Sequence, residues 1–240
     1  RGRRRGATGA RAVVEGGAHA AAVRRWLDAF VIERGLCPWA KQADELGGVR
    51  VVTSLAGSEE GALADLQSEA ERLLSEGAWA PAPLAEGPAR RTTLLVCPHV
   101  KAWRAREAFL RFVVERLEDH EAFIVVAFHP CFALFDAGPE SGARVLTSDG
   151  AGGPGSHRRA APVPPAGALP RGAAGEAFDS ASQAADLLSC APRPVLQLLR
   201  QADLEEVAGG PEVEALLLRN RRQVLELGSR GVAALLRRCS

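Results

Sequence analysis

Between Ala20 and Arg34 the apolar side chains fall at Val23, Trp26, Leu27, Phe30 and Val31. That three-to-four-residue spacing puts them on one stripe of a helix, and Gly35 follows where a helix can stop. The period then changes. Val49-Arg50-Val51-Val52-Thr53 is a short run rich in β-branched residues and predicts a strand. After Ser58, a residue type that caps helices, the apolar positions Leu63, Leu66, Ala70, Leu73 and Leu74 return to helical spacing. Thr92-Thr93-Leu94-Leu95-Val96 ends in a continuous apolar run, the pattern of a strand covered on both faces. Trp103, Leu110, Val113, Val114 and Leu117 mark a third helix, and residues 123–128 (FIVVAF) a third strand.

The alternation of helix and strand predicts an α/β fold with a small, parallel-rich sheet of about three strands, flanking helices and a helical C-terminal segment. The last segment reads as helices near 201–208, 211–219 and 221–238, with Gly209-Gly210-Pro211 as a stop and a proline start. Proline and glycine in EGAWAPAPLAEGPAR, residues 76–90, predict a surface loop. Residues 137–175 are dominated by Gly, Pro and Ala and hold too little bulky apolar surface to offset ordering entropy, which predicts a low-complexity insertion. The expected organisation is a basic, disordered tail over 1–18 and a single α/β domain over 19–240, interrupted by that insertion.

With 240 residues, 47% of them hydrophobic, the chain can fill a sizeable core. Thirty basic and 29 acidic residues leave a net charge of +1, which supplies no general attraction to nucleic acid or to acidic membranes. No apolar run approaches the ~20 residues that span a bilayer, so no membrane partner is expected. Nearly every basic residue is Arg, the only lysines being Lys41 and Lys101, and there is no Met or Tyr. The missing Met suggests a fragment or processed chain. Five widely spaced cysteines without a C-x-x-C pair indicate neither a disulfide framework nor a structural zinc site. A soluble protein of a reducing compartment, the cytoplasm or an organelle matrix or stroma, fits this usage. The opening RGRRRGATGARAVVEGG resembles the mature-side remnant of an organelle transit peptide, with a plain basic tail as the alternative.

In an open parallel sheet, ligands gather where the strands end at their carboxyl side. Here those ends are Thr53-Ser54, Cys97-Pro98-His99 and Phe128-His129-Pro130. Leu36-Cys37-Pro38-Trp39, just after the first helix, can reach the same rim. Cys37 and His129 are the residue types of a thiolate–imidazole pair, in which the histidine activates the thiol and carries the proton. The bland alternatives are a small buried cysteine and a satisfied histidine at a strand end. Cys97, Cys131 and His129 are zinc-donor types, but nothing in strand geometry makes them converge, and no metal is assigned. Arg200, closing PRPVLQLLR, and Arg219-Asn220, expected to open the last helix, are candidates for holding a small anionic molecule, since Arg pairs bidentately with carboxylate or phosphate. Their alternatives are a surface ion pair and an N-cap.

RRWLDAFVIERGLCPWA, TTLLVCPHV, AFHPCFALF, the two prolines of APRPVLQLLRQADLEEV and LLLRN occur together in this order. As a set they resemble a mainly bacterial family of unknown function, the one numbered 1415, over most of 20–136 and 176–238. The resemblance implies homology and a set of motif positions rather than a reaction. Those positions are Cys37, Pro38, Thr92, Thr93, His129, Pro130, Pro192, Pro194, Arg200, Arg219 and Asn220. Polar residues from such distant segments imply a shared pocket, with Thr93, Arg200 and Asn220 as ligand-binding candidates. The chain departs from the family pattern at Ser189-Cys190-Ala191, where an Asn-Arg-Ser run is usual, at Gln197 for a histidine, at Cys131 for an aspartate and at Arg91 for a glutamate.

Two functional readings follow. The first is a small-molecule enzyme, or a degenerate relative of one, with a pocket at the strand carboxyl ends and Cys37 and His129 as its catalytic pair. The second is a non-catalytic binding or assembly module in which the motifs serve folding. No cofactor is indicated, and whether the chain is an enzyme stays open.

Overall fold

The expected order of helix and strand up to Phe128 is present in the computed structural model, which describes residues 13–75, 91–117, 122–130, 182–205 and 211–240. The arginine-rich residues 1–12, the loop expected over 76–90, Cys131 and the insertion expected over 137–175 lie outside the described residues.

The chain opens with β1 (Val14–Glu15), inside the stretch expected as a tail, and α1 (Gly17–Trp26). α1 continues as a π-helical segment over Leu27–Ile32. Gly35, with φ of 62°, ends this run as expected, its left-handed conformation letting the Leu36 amide bond back to the Val31 carbonyl at 2.9 Å. α2 (Pro38–Glu45) follows with proline in its first turn and Cys37 at the N-cap. β2 (Val49–Thr53) leads to α3 (Glu59–Ser75), where the Ser58 hydroxyl accepts the Gly61 amide at 3.2 Å, the capping expected from sequence. β3 (Thr92–Val96), a short 3-10 turn (Lys101–Arg104), α4 (Arg106–Arg116) and β4 (Phe123–Phe128) complete the first half. Helical residues 182–188 form α5, before β5 (Val195–Arg200), α6 (Gln201–Glu205) and the long α7 (Pro211–Cys239).

The sheet order is β1-β2-β3-β5-β4. β2 and β3 pair in parallel, Val49 opposite Thr92 through Thr53 opposite Val96. β5 runs antiparallel to both its neighbours, β3 and β4. The expectation of a parallel-rich sheet of about three strands is corrected: among the described residues the sheet has five strands and is mixed, only partly parallel. β3 and β4 do point the same way, but β5, arriving from much later in the chain, separates them. VLQLLR was not legible as that strand, because six residues, four of them apolar, are too few to show a period that tells strand from helix.

Strand alternation divides the core into two layers. Val49, Val51, Leu94, Val96, Val195 and Phe128 pack toward α1, its π-helical extension, α5 and α7. Val52, Leu95, Cys97, Leu196, Leu198, Val125 and Ala127 pack on the other side with α3, α4 and Trp103. The second half of the fold differs from expectation at Asn220, which opens no helix. The helix runs through it and breaks instead at Gly228, whose φ of 65° and ψ of 171° only glycine adopts without strain. Among the described residues, no helix is long and apolar enough to cross a membrane.

Candidate functional site

On the first face of the sheet lies a cavity of about 280 Å³. Its floor follows from the pairing register. Val49, Thr92 and Leu199 stand side by side across β2, β3 and β5, and Leu94 stands beside Gln197 in the next row. Trp26, Leu27, Phe30 and Val31, from α1 and its extension, form one wall. Leu36, Cys37, Trp39, Ala40 and Ala43, from the turn and α2, form another. Phe128 closes the far end, 5.1 Å from Trp26 between ring centres in an edge-on contact. Four aromatic rings therefore frame a space whose polar lining comes from Cys37, Arg91, Thr92, Gln197, Asp203 and Asn220. The Gln197 side-chain amide donates to the Thr92 hydroxyl at 3.0 Å, and that hydroxyl donates to the Leu198 carbonyl at 2.9 Å.

Val49, Arg91 and Thr92 also line a second recess of about 570 Å³, at the start of β2 and β3. Its character is opposite. Arg50, Arg72, Arg91 and Glu15 line it together with Gly47 and Gly48. Beneath it Glu69, 3% exposed, holds two guanidinium groups: Arg50 Nε at 3.1 Å and Arg72 Nε at 2.9 Å. Arg72 also donates to the Thr93 hydroxyl at 2.9 Å, and Arg50 pairs with Glu15. Burial would raise the Glu69 carboxyl, but hydrogen bonds from Arg50 and Arg72 outweigh it and hold the group below its ordinary 4.5.

The sequence-derived candidates separate. Cys37 is half-buried in the cavity wall. His129 lies on the opposite face of the sheet, because Phe128 before it faces the cavity and alternation turns the next side chain away. Its Nε2–H donates to the Trp103 carbonyl at 2.7 Å, and its ring lies 5.4 Å from Phe109. Its backbone pairs with the Ser189-Cys190-Ala191 segment, donating to Ser189 at 3.0 Å and accepting from Ala191 at 3.2 Å. Burial pushes His129 below its ordinary 6.5, against backbone hydrogen bonds that favour its charged form. The structure does not bring Cys37 and His129 together, since the sheet lies between them.

Thr93 likewise points to the second face, and Thr92 is the threonine of the cavity. Arg200 is engaged by Asp203, with Nε to Oδ2 and Nη2 to Oδ1 both at 2.9 Å, a bidentate pair of the kind expected for an anionic ligand but closed within the chain. Asn220, 6% exposed, donates from Nδ2 to the Leu36 carbonyl at 2.6 Å, and Arg219 donates to the Gly35 carbonyl. These two residues fasten α7 to the turn that carries Cys37.

The cavity described above does not lie at the strand carboxyl ends, where a pocket was expected. There the Ser54 hydroxyl donates to buried Asp65 at 2.6 Å, Cys97 is fully buried with its thiol pushed up by desolvation, and His99 packs edge-on to His19 at 5.5 Å. The cavity instead lies over the starts of β2 and β3. Among the described residues, no group of three or more His, Cys, Asp or Glu side chains is placed to hold a metal ion. Sequence reasoning missed Gln197, Trp26, Trp39 and Phe30 as site residues. The available signal was the alternation in TTLLV, which puts Thr92 and Leu94 on one face.

Residues 18–148 match the family described as "Protein of unknown function (DUF1415)", more than half of the 240-residue chain, and the chain belongs to that family. The match includes α1, the Cys37 turn, β2, β3 and β4, and stops before β5 and α7. No curated protein and no solved structure matches the chain.

Proposed function

We propose that this member of the DUF1415 family binds a small molecule whose apolar body enters the cavity between α1, α2 and the sheet. The observation that carries this reading is the aromatic-framed cavity of about 280 Å³ with a hydrogen-bonded polar pair, Gln197 and Thr92, on its floor and Arg91, Asp203 and Asn220 elsewhere in its lining. Small-molecule sites combine an apolar lining with a few placed polar groups, and this cavity has that composition. It also favours the small-molecule reading over an assembly module, which has no use for such a cleft. A Cys37–His129 mechanism is not part of the proposal. Cys37 by itself stands in the wall, where it would meet a bound molecule.

Titration with N-phenyl-1-naphthylamine, an uncharged fluorescent probe of apolar cavities, tests the proposal. Saturable one-to-one binding that Ala40→Phe abolishes, with the variant's melting temperature retained, supports it. Ala40 lines the cavity from a helix and is only half-buried, so a larger side chain there fills the space without invading the core. Absence of saturable binding, or binding that Ala40→Phe leaves intact, overturns it.

A further inference from the structure

The apolar cavity and the arginine-lined recess share three residues, Val49, Arg91 and Thr92. We infer that the two spaces form one bipartite site for an amphipathic anion, its apolar body held among Trp26, Phe30 and Phe128 and its oxoanion head placed in the recess against Arg91. This inference rests on the small-molecule reading above and adds the chemical class of the ligand.

The linings carry the argument. Three arginines line the recess with Glu15, and with Glu69 beneath them the guanidinium groups outnumber the carboxylates three to two. Guanidinium groups present donors in a planar fork that fits carboxylate, phosphate or sulfonate oxygens. The recess is also built rather than incidental. Glu69 is buried beneath it and fixes Arg50 and Arg72 from below, while the Thr93 hydroxyl takes a further Arg72 donor. Side chains fixed in this way lose little freedom when a ligand arrives, which is the advantage of preorganisation. Arg91 immediately precedes β3, so its backbone is anchored beside Thr92, whose amide bonds to the Gly48 carbonyl at 2.9 Å. Thr92 lines both spaces, so a molecule lying along it would have the apolar walls on one side and the recess on the other. A purely apolar ligand makes no contact with the recess, and a small inorganic anion leaves the aromatic cavity empty.

The test compares two probes with the same ring system, neutral N-phenyl-1-naphthylamine and anionic 1-anilinonaphthalene-8-sulfonate, at low ionic strength. The full chain is expected to bind the sulfonate about tenfold more tightly than the amine, the scale of one charge-assisted hydrogen bond. Arg91→Gln is expected to bring that ratio close to one by weakening the sulfonate far more than the amine. Lys101→Gln, which removes an exposed cation away from both spaces, is the control and should preserve the ratio. Equal affinities for the two probes, or a preference that Arg91→Gln does not alter, overturn the inference and leave the small-molecule reading standing. Failure of both probes to bind overturns that reading itself.

Discussion

Phe128 and His129 are adjacent in the chain and face opposite sides of the sheet, Phe128 toward Trp26 and the cavity, His129 toward the Trp103 carbonyl and Phe109. One peptide step thus separates a residue that shapes the candidate site from one that belongs to the second core. His129 is therefore expected to matter to stability and not to ligand binding.

For His129→Gln, urea unfolding at pH 7.5 should show a loss of about 1–2 kcal/mol, from an imperfectly replaced buried hydrogen bond. Affinity for the naphthylamine should stay within about twofold, since the sheet insulates the cavity. The pH dependence follows from the burial of the imidazole. Its folded pKa lies below the ordinary 6.5, so below that pH the unfolded chain takes up a proton that the folded chain refuses. Stability is fully present above pH 6.5 and declines as pH falls toward the folded value. His129→Gln should flatten that decline. What remains should come largely from His19, whose pKa is lowered by burial and then by Arg193 and His99.

The elements up to β4 were legible because each repeats its period long enough to be read, as with Leu66, Ala70 and Leu73 on one stripe of α3. β5 was not legible. Its place between β3 and β4 is set by partners 67 to 107 residues away, and its sequence carries no local sign of that. Cys37 was found as a site residue because a cysteine before a helix-starting proline stands out. The aromatic frame was not found, because Trp26 and Phe30 at helical spacing look the same whether they fill a core or line a cavity in it. Arg200 misled for a related reason: its partner Asp203 was visible in the sequence, but only the structure shows the bidentate geometry between them.

Glu69→Gln should destabilise the fold by about 2–3 kcal/mol in chemical denaturation, because two guanidinium groups then lose the buried charge that holds them. The native carboxyl is held below 4.5, so its contribution is present above that pH and lost as pH falls through the folded value. The variant and the parent should accordingly converge in stability as pH falls below 4.5 and through the folded value, and remain separated at pH 7.

Thr92→Val keeps the shape of the cavity floor and removes its hydroxyl. The Leu198 carbonyl and the Gln197 amide each lose a partner in a buried setting. A destabilisation of about 1–3 kcal/mol is expected by thermal or urea unfolding. The double variant Thr92→Val, Gln197→Leu should recover part of that loss, because removing both polar partners leaves fewer orphaned groups than removing one. Non-additivity of this sign, measured in a double-mutant cycle, checks that the two side chains act as a pair.

The fastening of α7 to the Cys37 turn gives a last prediction that reads local order. Among the four described cysteines, Cys97, Cys190 and Cys239 are buried and Cys37 is half-exposed. Timed alkylation followed by mass spectrometry should label Cys37 first, and N-phenyl-1-naphthylamine should slow that labelling if the probe fills the cavity whose wall Cys37 forms. Asn220→Ala removes the hydrogen bond to the Leu36 carbonyl, one residue before the cysteine. The turn then loses about 1–2 kcal/mol of local stabilisation. Local opening of that size raises the exposed population several-fold, and Cys37 labelling should accelerate by the same factor. Global unfolding would expose all four thiols together, so an unchanged rate at Cys97 separates loosening of the turn from loss of the fold.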